Sequence, residues 1–268
     1  MKLSEAADGA EHGTDRGGTG RRRGRLAFTL FSLLLLLALW FLAARLIASP
    51  VLPGPEAVAR AFWRASLTGV LPASLAITLA RVVASFLIAM VIGAAVGILL
   101  GRSPGLDRLF GPWLIMLLNL PALVIIILCY VWFGLTEAAA ITAVAINKIP
   151  NVAVTLREGA ASLSRDLDEM AQVFRFGPLR TLRHVVLPQL SPFFAAAARS
   201  GLALTWKIVL VVELLGRSNG VGFELQTAFQ LFDVATVLAY ALAFTVVVQI
   251  IELALIEPWE RRANRWRR

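Results

Sequence analysis

Hydrophobic and polar positions along this chain separate into long blocks. Apolar runs occupy residues 26–44, 73–100, 113–134, 138–156, 193–215 and 234–256. Each is close to or above the roughly 20 residues that a helix needs to cross the hydrocarbon of a bilayer. The pattern predicts an all-α integral membrane protein with six transmembrane helices. One interruption has internal order of its own: SRDLDEMAQVFRFGPLRTLRHVVLPQLSP, residues 164–192. Asp166 followed by Glu169 predicts a capping-box start. Leu167, Met170, Ala171 and Phe174 then fall on one helical face. Gly177 is expected to stop that helix and Pro178 to open the next, which carries Leu179, Leu182 and Val186 on its apolar stripe, with Arg180 and Arg183 off it. Pro188 and Pro192 punctuate the entry into the next apolar run. The stretch reads as an amphipathic helix–turn–helix in a loop between spans, suited to pressing one face on a partner.

The remaining segments fill in around the runs. Residues 1–25 are rich in glycine and charge, lack apolar periodicity and are expected to be a disordered basic tail. The run at 26–44 is longer than a signal-peptide core and no small-residue cleavage site follows it, so it is expected to be an uncleaved first span. Residues 49–72 form a loop with an amphipathic piece at 57–67, whose Phe62 and Trp63 suit a membrane interface. Gly93, Gly97 and Gly101 repeat every fourth residue in the second run, a spacing that permits close helix–helix approach. Residues 101–112 read as a short basic turn, 134–137 as a tight turn, 216–233 as a loop and 259–268 as a second basic tail.

Composition narrows the class. The chain of 268 residues is 58% hydrophobic and 16% charged, with a mean hydropathy of +0.76. A soluble domain of this size rarely has such values. The single cysteine, Cys129, excludes an internal disulfide framework. A net charge of +9 raises the question of nucleic acid, but the arginines cluster at the ends of apolar runs, where membrane orientation explains them and nucleic-acid binding is not expected. With both termini in the cytoplasm, the inner segments hold 18 of the 26 Lys and Arg, the outer loops 3 and the spans 5. That asymmetry predicts the orientation and puts the helix–turn–helix in the cytoplasm.

Several chemistries are missing. The only lysines are Lys2, Lys148 and Lys207, and none follows a glycine, so no P-loop for ATP exists in this chain. With two histidines, His12 and His184, and no HExxH or GxSxG, neither a histidine-based metal site nor a nucleophile elbow is expected. Polar residues inside the spans are the remaining candidates: Arg81, Asn119, Asn147, Lys148, Lys207 and Glu213. Intramembrane charges face a bundle interior or a wet pathway, and the excess of cations suggests a route that tolerates anions. Arg81 and Arg199 lie near predicted helix ends and are also placed to snorkel to headgroups, as is Arg45. Asn119 and Pro121 together are expected to free backbone groups inside the third span.

The island also carries a family resemblance. Glu169-Met170-Ala171, with Leu187-Pro188 following eighteen residues after the Glu, resembles the EAA loop of binding-protein-dependent ABC importer permeases. Further stretches resemble the sulfonate/taurine/nitrate branch: LPGP (52–55), SLAITLARVVASFLIA (74–89), LPALVIIILCYVWFG (120–134), LTWKIVLVVELLG (204–216) and NGVGFEL (219–225). The match runs in order over about residues 50–258. It implies a transmembrane permease domain at 26–258 whose coupling loop, residues 159–190, docks in a groove of a cytoplasmic ATPase. The docking residues would be Asp166, Glu169, Met170, Ala171, Phe174, Arg175, Gly177, Leu187 and Pro188. The family usually has glycine six residues after the Glu; Arg175 stands there and Gly177 comes two residues later. The turn is therefore expected to fall later, with Arg175 on the docking surface.

The resemblance further implies a homodimer in the bacterial plasma membrane, two ABC ATPase subunits and a periplasmic or lipid-anchored solute-binding protein. ATP and magnesium would sit on the partner ATPase, and this chain would bind no cofactor. The cargo would be a small anion or zwitterion such as an alkanesulfonate, taurine or nitrate, although other members of the branch move pyrimidine precursors or aromatic carboxylates. A secondary transporter coupled to an ion gradient is the alternative; it would work without an ATPase.

Overall fold

A computed structural model describes residues 17–256 and Pro258. The described residues are helical, in the order α1 (Gly17–Ile47), α2 (Pro55–Leu67), α3 (Val70–Arg102), α4 (Pro104–Leu118), α5 (Ala122–Phe133), α6 (Glu137–Ala161), α7 (Arg165–Val173), α8 (Pro178–Thr181), α9 (Leu187–Gly216), α10 (Val221–Gln230) and α11 (Val234–Ile251). π-helical turns at Leu182–Val186 and Glu252–Ile256 extend α8 and α11. The chain divides into two compact units, one up to Arg60 and one from Ala61 onward.

In the first unit, α1 begins at Gly17, inside the segment expected to be disordered; the rest of that tail and the tail at 259–268 lie outside the described residues. Its apolar stretch, Phe31–Ile47, is exposed along most of its length, as a lipid-facing helix would be. Trp40 Nε1 donates to the Pro53 carbonyl at 3.1 Å, and an exposed Arg45–Glu56 ion pair at 3.5 Å joins the helix to the following turn.

The second unit is built on α3 and α6. Gly93, Gly97 and Gly101 form the seam between them: a side chain at Gly97 or Gly101 would run into the carbonyls of Ala153 and Arg157, and one at Gly93 would meet Val152. The every-fourth-residue glycines thus do what their spacing predicts, bringing two backbones together. α9 covers the other side, and Val82, Ile126, Val144, Val209, Val212 and Val221 close a core shared by α3, α5, α6, α9 and α10. Trp206 meets Phe244 of α11 edge-on, with ring centroids 6.0 Å apart.

Among the described residues, four helices are long and apolar enough to cross a membrane: Val70–Arg102, Glu137–Ala161, Pro178–Gly216 and Val234–Ala254. The third predicted span is not a single helix. α4 and α5 meet at 95°. Pro121 has no N–H to give and drives Leu120 out of helical geometry. Asn119 fills the freed end by donating from Nδ2 to the Ile115 carbonyl at 2.8 Å. Two expected loops are also largely helical: 101–112 is divided between the end of α3 and the start of α4, and 216–233 contains α10.

Candidate functional site

In the stretch predicted as a helix–turn–helix, the chain forms α7, a turn and the four-residue α8. α7 starts from Ser164, whose N–H donates to Gln189 Oε1 of α9 at 3.2 Å. Asp166 and Glu169 form no capping box; both are exposed within the helix. Of the predicted apolar face only Ala171 packs inward. Met170 is 37% and Phe174 68% exposed, and Leu167 is similarly uncovered. Leu187 and Pro188 are exposed at the start of α9, while Val185 and Val186 anchor the π-helical turn in the interior.

The turn lies at Arg175, not Gly177. Arg175 takes φ +51°, and the N–H groups of Phe176 and Arg175 donate to the carbonyls of Ala171 and Gln172 at 2.8 and 2.9 Å. This is a Schellman ending with arginine in the left-handed position usually given to glycine. Gly177 has an ordinary φ of −67° and caps α8. The expectation of a later turn failed because it assumed that only glycine takes that conformation; two backbone hydrogen bonds hold Arg175 in it. The Arg180 guanidinium lies 4.6 Å from the Phe176 ring centroid. A shallow recess of about 430 Å3 opens between Gly177, Pro178, Leu179, Arg180, Arg183 and His184.

From the turn onward the chain is one long helix. α8, the π-helical turn and α9 run from Pro178 to Gly216. Thirty-five residues at 1.5 Å each place Glu213 about 50 Å along that helix from Pro178. Glu213 is completely buried. Arg81 Nη1 donates to its Oε1 at 2.7 Å, while Thr78 Oγ1 and the Gly222 N–H donate to its Oε2 at 2.9 and 2.8 Å. Arg81, 3% exposed, also donates to both carboxylate oxygens of Glu137 at 2.5 and 2.9 Å, and to the carbonyl and side-chain oxygen of Asn219. All five guanidinium N–H donors are thereby used. Arg217 Nη2 closes the group on Glu137 at 2.8 Å. Two arginines face two glutamates, so the cluster is neutral.

NGVGFEL acquires a physical meaning here. Gly220, at φ +104°, lets the backbone pass where a side chain would sit 2.5 Å from the Glu213 carboxylate. The Val221 N–H then donates to Thr78 Oγ1 at 2.9 Å.

The sequence-predicted polar residues therefore separate. Arg81 and Glu213 bind each other, so Arg81 does not snorkel. Lys148 is buried in the middle of α6, with Asn147 half-exposed beside it. Asn119 and Lys207 are exposed. Thr78, Glu137, Arg217 and Asn219 complete the cluster and were absent from the predicted set. Thr78 and Asn219 stand inside stretches already singled out, and their signal was a hydroxyl in an apolar run and an Asn-Gly turn. Among the described residues, no group of three or more His, Cys, Asp or Glu is placed to hold a metal ion.

Comparison with known proteins fits this geometry. The sequence profile of the family described as binding-protein-dependent transport system inner membrane component matches residues 89–255. The chain belongs to that family. This permease is 29% identical to the SsuC permease of Bacillus subtilis (strain 168), named for aliphatic sulfonates, over 87% of the chain and 84% of SsuC. It is 27% identical to the taurine transport system permease protein TauC of Escherichia coli (strain K12), over 90% of each. It superposes on a chain of the MetNI methionine ABC transporter in inward-facing conformations with a TM-score of 0.64, at 20% identity, covering 75% of this permease and 99% of that chain. At that identity the superposition speaks for the fold. The permease is a multi-pass inner-membrane protein of the sulfonate/taurine/nitrate branch of ABC importer permeases, and its relatives are transport components rather than enzymes.

Proposed function

We propose that this permease is the membrane subunit of an ABC importer that carries a small anionic or zwitterionic solute, an alkanesulfonate, taurine or a nitrate-like ion, into the cytoplasm. It acts as a homodimer with two ATPase subunits, which bind ATP and magnesium, and with an external solute-binding protein. The single observation that carries the reading is the exposed face of α7 and its turn, joined through one unbroken helix to the Glu213 cluster. A chain without a P-loop needs a place to receive force. Asp166, Glu169, Met170, Phe174, Arg175, Leu187 and Pro188 offer that place on the cytoplasmic side, with Ala171 and Gly177 shaping the loop beneath them. Closure of the ATPases pulls α7, α9 follows as a lever, and the spans rock between inward- and outward-facing states. Relatives named for sulfonates and taurine support the cargo class. Asn119, Asn147, Lys148 and Lys207 are the route candidates; Arg81 and Glu213 serve as a clasp for the outer loop.

Reconstitution in proteoliposomes tests this. The permease should copurify with a P-loop ATPase and take up ethanesulfonate or taurine only with ATP and the binding protein present. Uptake by the permease alone, driven by an ion gradient, would overturn the reading in favour of a secondary transporter.

A further inference from the structure

Among the described residues, Lys148 is the one buried charged side chain without an ion-pair partner. It is the twelfth of the 25 residues of α6, about 16 Å along the helix from Glu137 and so near its midpoint. It is 2% exposed, and among the described residues its Nζ has one partner, Asn151 Oδ1 at 3.2 Å, with no carboxylate in ion-pair range. An ammonium has three donors and needs counter-charge when it leaves water. At this depth its four-carbon stem is too short to reach either headgroup layer. Arg81, eleven positions beyond Val70 on α3, shows that the same bundle can neutralise a buried cation completely.

The surroundings of Lys148 offer it little else to bond to. Pro150 deprives the Ile146 carbonyl of its helical N–H partner, leaving an opened backbone group two residues away. Gly201 of α9 faces the lysine without a side chain: a Cβ there would lie 3.4 Å from Lys148 Cε and 3.2 Å from Phe86 of α3. The Ser85 hydroxyl, next to Phe86, is buried with no hydrogen-bond partner. So α3, α6 and α9 meet where Phe86, Lys148 and Gly201 pack together, and α9 is the helix that continues into the loop end.

We propose that Lys148, with Asn151 beside it, is the mid-membrane counter-charge for the oxyanion head of the cargo, exposed to the route when α9 shifts against α6. The site selects a single small oxyanion such as a sulfonate or carboxylate and rejects cationic solutes, because a compact ammonium offers a point charge rather than a planar fork. This inference rests on the importer reading above.

The test uses the full complex of permease, ATPase and binding protein in proteoliposomes, with ethanesulfonate and taurine as probes, together with thermal unfolding of the complex in detergent. Lys148→Met should lower uptake of the transported probe at least tenfold while the Tm stays equal or rises, since removing an unmatched buried charge relieves the fold. Lys148→Arg should keep a measurable part of the uptake, and Asn151→Ala should raise KM severalfold. Wild-type uptake with Lys148→Met unchanged would overturn this inference and leave the importer reading standing. A fall in Tm with Lys148→Met would assign the lysine a structural role and equally overturn it. Absence of ATP-driven uptake of either probe by the wild type would remove the cargo class and the inference together.

Discussion

The two ends of the long helix that runs from Pro178 to Gly216 treat polar groups in opposite ways. At the Glu213 end, Arg81 of α3 and Glu213 of α9 are buried and bonded to each other, and half-exposed Glu137 and partly buried Arg217 close the group at its edge. At the loop end, Asp166, Glu169, Arg180 and Arg183 face outward among exposed Met170, Phe174 and Leu179, and the backbone itself is held in a left-handed conformation at Arg175. A satisfied buried network resists rearrangement, because removing any member strands another. An exposed amphipathic loop gains by being covered. The difference teaches which end is an anchor and which, on the proposed function, is a handle.

The largest expected effect breaks the anchor. Glu213→Ala leaves Arg81 buried with a donor unmatched, and should cost about 3–5 kcal/mol, read as a large fall in Tm in detergent. The double variant Arg81→Met/Glu213→Met should recover part of that loss; equal losses in single and double variants would mean that the pair is not coupled. A smaller loss, about 2–3 kcal/mol, is expected for Gly220→Ala, which adds a methyl against the Glu213 carboxylate at φ +104°. If Gly220→Ala leaves the Tm unchanged, the 217–222 loop is not clamped by Glu213 in the way the hydrogen bonds indicate.

These anchors were the least legible part of the sequence. The membrane class, the glycine seam of α3 and the existence of the loop all follow from local spacing, and Gly93, Gly97 and Gly101 declared their role by interval alone. Arg81 did not. Its partners Glu137 and Glu213 lie 56 and 132 positions away, so nothing in the neighbouring residues separates a paired arginine from a snorkelling one. Counting cations in the spans suggested an anion route, but pairing removes Arg81 from that count and leaves Lys148 as its buried member. Pro121 was visible as a breaker. Its consequence, a 95° bend instead of a softened span, depends on Asn119 capping the end and on what α4 and α5 pack against. The turn at Arg175 was misplaced because intrinsic preference favours glycine, and a closed Schellman pair of hydrogen bonds overrides it.

The handle supports finer tests. Arg175→Gly relieves a left-handed arginine and should stabilise the turn by about 1 kcal/mol, seen as slower amide exchange at Phe176. Gly177→Ala, at an ordinary φ and in open space, should leave stability within about 0.5 kcal/mol. The reverse ranking would return the turn to Gly177. If the Arg175 side chain also contacts the ATPase, Arg175→Gly will lower ATP-driven uptake although the turn itself is firmer, and Arg175→Lys will restore part of it.

Glu169→Arg should have the smallest effect on the fold and the clearest one on coupling. Glu169 is exposed on α7 and has no hydrogen-bond or ion-pair partner among the described side chains, so its replacement should shift stability by no more than about 0.5 kcal/mol. On a face that docks against a partner, reversing the charge acts on association instead, through like-charge contact and a faster off-rate. The expected outcome is a permease that inserts normally, keeps its Tm and loses ATP-dependent uptake of ethanesulfonate or taurine together with copurification of the ATPase. Full uptake in Glu169→Arg would show that the exposed face of α7 is not where force enters, and the contrast between the two ends would then need another explanation. A matching loss of Tm would show that the loop is part of the anchor after all.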